Sequence, residues 1–136
     1  GWAALPPGWP GRNIAWLSLA FVVLYEPPRP LPGCARLDVL DVGQGLAIVV
    51  STRSSTLLFD TGPAFRSGGS AADTVISPFL ANRKIDAIDY LVVSHADLDH
   101  AGGLASITAG LRVGRLYAGE PVNSTSGSAC SSVRSC

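Results

Sequence analysis

Residues 95–100 read His-Ala-Asp-Leu-Asp-His, directly after the apolar run Tyr90-Leu91-Val92-Val93-Ser94. A short run rich in β-branched and aromatic residues reads as a buried strand. Val92 and Val93 then hold its C-terminal end firmly, and His95, Asp97, Asp99 and His100 fall on the loop that leaves it. The chain has only 2 histidines, and both lie here. A lone Asp or His at a strand end reads as a cap or a surface ion pair. Four ligand-type side chains within six positions point instead to metal. The spacing sends His95 and Asp97 out of one side of the loop, while Asp99 and His100 turn the other way as a helix begins. Two ligand pairs facing one cleft suit two cations a few ångströms apart, an arrangement that serves hydrolysis of an ester or phosphodiester. Two imidazoles and two carboxylates without a thiolate tilt the preference towards manganese or magnesium, although imidazole also suits zinc. Gly102 and Gly103 lack a Cβ, so the backbone can turn tightly there.

Bulk properties exclude several classes. At 136 residues the chain suffices for one domain with one core. Its net charge is zero and only 15% of residues are charged, so no basic stripe announces nucleic-acid binding by electrostatics alone. The three cysteines, Cys34, Cys130 and Cys136, form no C-x-x-C pair, which argues against a structural zinc site of that type. Cys130 and Cys136 read either as a small disulfide loop or as unpaired thiols. No methionine occurs, even at position 1, so the chain reads as a truncated gene product or a fragment of a longer one.

Residues 1–25 form an apolar segment. Residues 1–12 are rich in Gly, Pro and Trp and read as a turn or linker. Residues 13–25 are almost wholly apolar, with Trp9 and Trp16 on one side and Tyr25 ending the run, as in an interfacial belt. They read as the end of a membrane helix or as a short buried or interfacial one; a free-standing span needs about 20 such residues. Residues 26–35 are Pro-rich, extended, and mark a domain boundary. Strands are expected at 36–42, 46–52, 56–60, 89–94 and 112–118. Helices are expected at 73–83 and 102–110, with Pro78 either kinking the first or opening a shorter one capped by Ser77. The order β-β-β-α-β-α-β predicts an α/β (α+β) fold with a mixed sheet and flanking helices. Residues 121–136 read as a flexible Ser-rich tail.

Asp60 ends the run Leu57-Leu58-Phe59. A carboxylate at the end of an apolar strand is costly without partners. It reads as support for the ligand imidazoles, or as a turn residue. Asp41 reads similarly but more weakly, and Glu120 reads as a solvated loop carboxylate or as a further acid facing the same cleft. Gly43-Gln44-Gly45 is not a phosphate loop, since neither a lysine nor a helix follows.

These residues carry a resemblance. His95-x-Asp97-x-Asp99-His100, after a strand and before Gly-Gly, resembles the His-x-His-x-Asp-His motif of the metallo-β-lactamase superfamily, with Asp97 at the second histidine. Phe59-Asp60-Thr61-Gly62 resembles the superfamily's early strand-ending aspartate. Leu40-Asp41-Val42-Gly43-Gln44-Gly45 after a Pro-rich spacer resembles the ComEC family of bacterial competence DNA-uptake channels. The resemblance implies an αββα sandwich, of which residues 36–120 would be the first half, preceded by the end of a transmembrane helix. By matching positions, His95 and Asp97 would bind one divalent ion and Asp99 and His100 a second. Manganese or zinc is implied, with magnesium as a third candidate. Asp99 would also orient or deprotonate the nucleophilic water, and Asp60 would support the site. The implied activity is that of a metal-dependent phosphodiesterase or nuclease acting on the DNA strand that is not imported. The implied partners are single-stranded DNA, the membrane and the rest of the channel protein. The implied location is the bacterial inner membrane, with the soluble domain on the periplasmic face.

Two departures qualify this. Leu46 stands where family members often carry an acid, and no third histidine is present for the superfamily's later ligands. The chain alone is therefore expected to have little or no hydrolase activity. The alternatives are a hydrolase of the same fold acting on another ester or a lactam, and a non-enzymatic membrane-attached fragment with a vestigial half-site.

Overall fold

The computed structural model describes residues 11–119 and 133–135. The described part opens with a helix, α1 (Gly11–Leu24), and continues through the extended Pro-rich segment into strand β1 (Arg36–Val39). Strands β2 (Ile48–Ser51) and β3 (Thr56–Phe59) follow, then a π-helical turn (Ala72–Ile76) running into α2 (Ser77–Asn82). Next come β4 (Ala87–Val93), α3 (Leu98–Ala101), α4 (Leu104–Gly110), β5 (Arg112–Ala118) and β6 (Val133–Ser135). Glu120, Cys130, Cys136 and residues 1–10 of the turn or linker expected at 1–12 lie outside the described residues, whereas Gly11 and Arg12 are helical.

The sheet is mixed, as the element order predicts. Its strands lie in sequence order; β1–β2 and β2–β3 are antiparallel, and β3–β4, β4–β5 and β5–β6 are parallel. Turns join the antiparallel pairs, and helices supply the crossovers from β3 to β4 and from β4 to β5. Val133–Ser135, within the Ser-rich stretch read as linker, adds the sixth strand.

Period-2 alternation sorts the sheet into two faces. Val49, Leu58, Leu91 and Leu116 sit side by side across four strands, and each is fully buried. Ile76, Leu80, Leu104 and Ile107 of the helices join the same core. Each such side chain contributes about 1.5–3 kcal/mol by leaving water. The alternate positions Leu37, Val39, Val50, Leu57, Phe59 and Val92 are apolar too, yet none is buried. Among the described residues, the π turn, α2 and α4 thus pack against one face of the sheet.

Pro78 falls at the start of α2, just after the π turn. Ser77 N–H bonds to Ala72 O across this wider turn. Proline has no N–H to donate and its ring crowds the carbonyl four residues back, and a widened turn relieves both problems. The helix expected at 102–110 begins only at Leu104 (α4), and Gly102 and Gly103 separate it from a further four-residue helix, α3, that precedes them.

Helix α1 is almost wholly apolar from Ile14 to Leu24. Leu17, Phe21, Val22 and Leu24 are each about 70% exposed, so it is not a buried helix. Its 14 residues extend about 21 Å. Among the described residues, no helix is long and apolar enough to cross a membrane.

Candidate metal centre

Three loops meet at the C-terminal ends of the parallel strands β3 and β4. The metal-type loop (94–103) is held by residues 60–64: Thr61 N–H and Oγ–H both donate to His100 O, at 2.7 and 2.9 Å. Ala64 N–H reaches Leu98 O at 3.3 Å, and Gly103 N–H reaches Gly62 O at 3.2 Å. The turn after β1 completes the cradle, with Leu46 N–H on Asp99 O at 3.4 Å and Gly62 N–H on Leu46 O at 3.0 Å. A Cβ on Gly45 would overlap Asp99 O, and one on Gly102 would overlap the backbone of Ala64, Leu98 and Pro63. Gly45 is therefore a packing element against the metal-type loop. Asp41 lies outside the site; it is exposed and accepts Gly43 N–H at 3.2 Å, as a turn residue does.

Asp60 is completely buried and adopts a left-handed backbone, φ 58°. Such a backbone in a non-glycine residue costs about 1 kcal/mol or more and needs support from its surroundings. Its side chain supplies that support. Oδ1 accepts Ser94 N–H at 2.7 Å, and Oδ2 accepts Ser94 Oγ–H at 2.8 Å. His100 Nδ1 lies 2.7 Å from the same Oδ2. Among the described residues no buried side-chain polar atom lacks a partner.

This network dictates tautomers. A carboxylate only accepts, so His100 carries its proton on Nδ1 and presents the Nε2 lone pair. The Ser94 hydroxyl proton is committed to Asp60, so its oxygen accepts from His95 Nδ1 at 2.9 Å. His95 therefore also presents Nε2. One buried carboxylate orients both imidazoles, one directly and one through Ser94. Their rings lie 3.9 Å apart, tilted by 43°. The sequence reading did not single out Ser94; its signal was a hydroxyl between the last apolar strand residue and the first histidine.

The carboxylates flank these rings. His95 Nε2 lies 3.4 Å from Asp97 Oδ2, and His100 Nε2 lies 3.5 Å from Asp99 Oδ2. Ligand atoms of His95, Asp99 and His100 all fall within 4.8 Å of one another. Asp97 is outside that group; its side chain is 75% exposed, against 51% for Asp99. The donor set fits a divalent ion: two oriented imidazole lone pairs and a carboxylate converge with room to approach.

A sequence model of the family described as the metallo-beta-lactamase superfamily matches residues 40–125. The chain is similar to competence protein ComA of Neisseria gonorrhoeae, 40% identical over 117 residues, covering 86% of this chain and 16% of that protein. It is 44% identical over 72 residues to Recombination protein 2 of Haemophilus influenzae, covering 53% and 9%. It is also 40% identical over 98 residues to YcaI of Escherichia coli, an uncharacterized protein, covering 72% and 12%. The chain thus spans a minor part of the length of each of these relatives.

Proposed function

The chain belongs to the metallo-β-lactamase superfamily, and from that premise we propose that it serves as the metal-dependent phosphodiesterase or nuclease-type domain of a membrane DNA-uptake protein. Its substrate is the DNA strand that is not imported, and it works on the outer face of the inner membrane beside the rest of the channel. One observation carries the chemistry: two carboxylate–imidazole pairs, His95–Asp97 and Asp99–His100, stand side by side with both Nε2 atoms turned to their carboxylates. The names of two relatives, a competence protein and a recombination protein, support the DNA setting.

Divalent ions held here, whether manganese, zinc or magnesium, would supply Lewis-acid stabilisation of the charge that develops on a scissile phosphodiester. The remaining work belongs to the chain. His95 and His100 offer fixed lone pairs, Asp99 offers a carboxylate oxygen that converges with both, and Asp97 offers one beside His95. Asp99, half exposed at the cleft, orients the attacking water and takes its proton. Asp60 and Ser94 keep both rings in the ligating tautomer.

The test separates degradation from transport. His95→Ala and Asp99→Asn are introduced into the encoding gene, and degradation of the non-imported strand and uptake of its complement are measured separately. The proposal expects degradation to fall at least 100-fold. Unchanged degradation in both variants, or cleavage of a lactam in preference to single-stranded DNA by the wild type, contradicts it.

A further inference from the structure

A cleft of about 640 Å³ lies at the foot of α1, at the opposite end of β3 from the metal-type loop, and is lined by Glu26, Arg29, Arg53, Arg83, Lys84 and Asp86 among others. Four cations face two acids there. Lys84 Nζ donates to Val23 O at 3.0 Å, which caps the last turn of α1 with a positive charge and ties the helix to the domain. Arg83 is held by Asp38 at 3.7 Å and lies over the Phe79 ring. Arg29 and Arg53 are exposed, and among the described residues neither has an ion-pair or hydrogen-bond partner.

We propose that this cleft binds the anionic headgroups of a phospholipid bilayer into which α1 inserts. Two independent features point to it. A helix that is almost wholly apolar from Ile14 to Leu24, with every described side chain exposed, matches the solvent that hydrocarbon provides. At its C-terminal end the polypeptide places a cluster of cations at the level where headgroup phosphates would lie, with guanidinium forks suited to phosphate oxygens. The cleft thereby fixes how the domain stands on the membrane. This inference rests on membrane insertion of α1 and is independent of any chemistry at His95–His100.

Vesicle co-sedimentation of the full chain in EDTA tests it, using phosphatidylcholine alone and phosphatidylcholine with phosphatidylglycerol. Each cation near an anionic surface strengthens binding about fivefold. The chain is expected to prefer the anionic vesicles at least tenfold, and salt is expected to weaken that preference. The double variant Arg29→Ser/Arg53→Ser should lose most of the preference while still binding neutral vesicles through α1. The charge-conserving pair Arg29→Lys/Arg53→Lys should regain most of it. Equal binding to both vesicles, or an unaltered preference in the Ser variant, overturns the proposal. So does displacement from anionic vesicles by a short single-stranded oligonucleotide at micromolar concentration, which would assign the cleft to DNA. Because EDTA removes metal throughout, failure here leaves the proposed hydrolytic function untouched, and the reverse also holds.

Discussion

Asp60 Oδ2 and His100 Nδ1 lie 2.7 Å apart across 40 positions of sequence. Parallel pairing of β3 with β4 makes this possible, because it brings the C-terminal ends of both strands to one edge. Asp60→Asn keeps the shape and removes the charge. One amide oxygen cannot accept from Ser94 N–H, Ser94 Oγ–H and His100 Nδ1–H together, so a donor then faces a donor. Affinity for manganese or zinc should fall about 10–100-fold. Stability should fall by about 1–3 kcal/mol. Calorimetric metal titration and urea unfolding check the two effects.

Ser94 passes the influence of Asp60 to His95. Ser94→Ala leaves His100 oriented and frees the His95 ring. Metal affinity should drop about tenfold, at the lower end of the range for groups that orient ligands. Proton-detected imidazole NMR should show His95 losing its single Nδ1–H tautomer while His100 keeps its own. An unchanged His95 tautomer would refute the relay.

The two aspartates of the loop should behave differently. Asp99 converges with both imidazoles, whereas Asp97 stands outside that group. Asp99→Ala should abolish binding of the first equivalent of metal, while Asp97→Ala should weaken it no more than about tenfold. Stoichiometry from manganese electron paramagnetic resonance distinguishes them.

Glycine substitutions should separate packing from propensity. Gly102→Ala drives a methyl group into the backbone of Ala64 and Pro63 and should cost about 3 kcal/mol or more. Gly110 ends α4 with open space around it, so Gly110→Ala should be neutral or stabilise by up to about 1 kcal/mol. Urea midpoints measure both.

A pH effect follows from Asp73. The hydroxyl of Ser70, then that of Ser106, donates to its carboxylate at 2.7 and 3.1 Å and holds its pKa below the ordinary 3.8. A lowered folded-state value means that its contribution is complete above the unfolded pKa and is lost as pH falls through the folded one. The stability difference between wild type and Asp73→Asn should stay constant down to about pH 5 and vanish in stronger acid. A difference that grows below that pH would contradict the assignment.

Much of the sheet was legible because local pattern and tertiary fate agree. The runs at β1 to β5 are β-branched or apolar, and their order alone dictated a mixed sheet. Boundaries were less readable. The first strand was expected to reach residue 42 but ends at Val39, because Asp41 turns the chain on its own Gly43 N–H. Pro78 announced a disturbance, yet the choice of a π turn depends on packing. The position of the metal-type loop was readable from one hexapeptide. The convergence of residues 45–46 and 60–64 upon it was not, since those contacts join segments 34–54 positions apart and leave no periodic trace. Ser94 was missed for a related reason: its significance lies in a buried carboxylate supplied by another strand.

The central claim is that the loop after β4 presents two preset imidazoles and the Asp99 carboxylate to a divalent ion. Manganese titration of the full chain, beside the double variant His95→Ala/His100→Ala, tests it most directly. The account predicts saturable binding by the wild type and at least 100-fold weaker binding by the variant. Indistinguishable isotherms for the two proteins would contradict it.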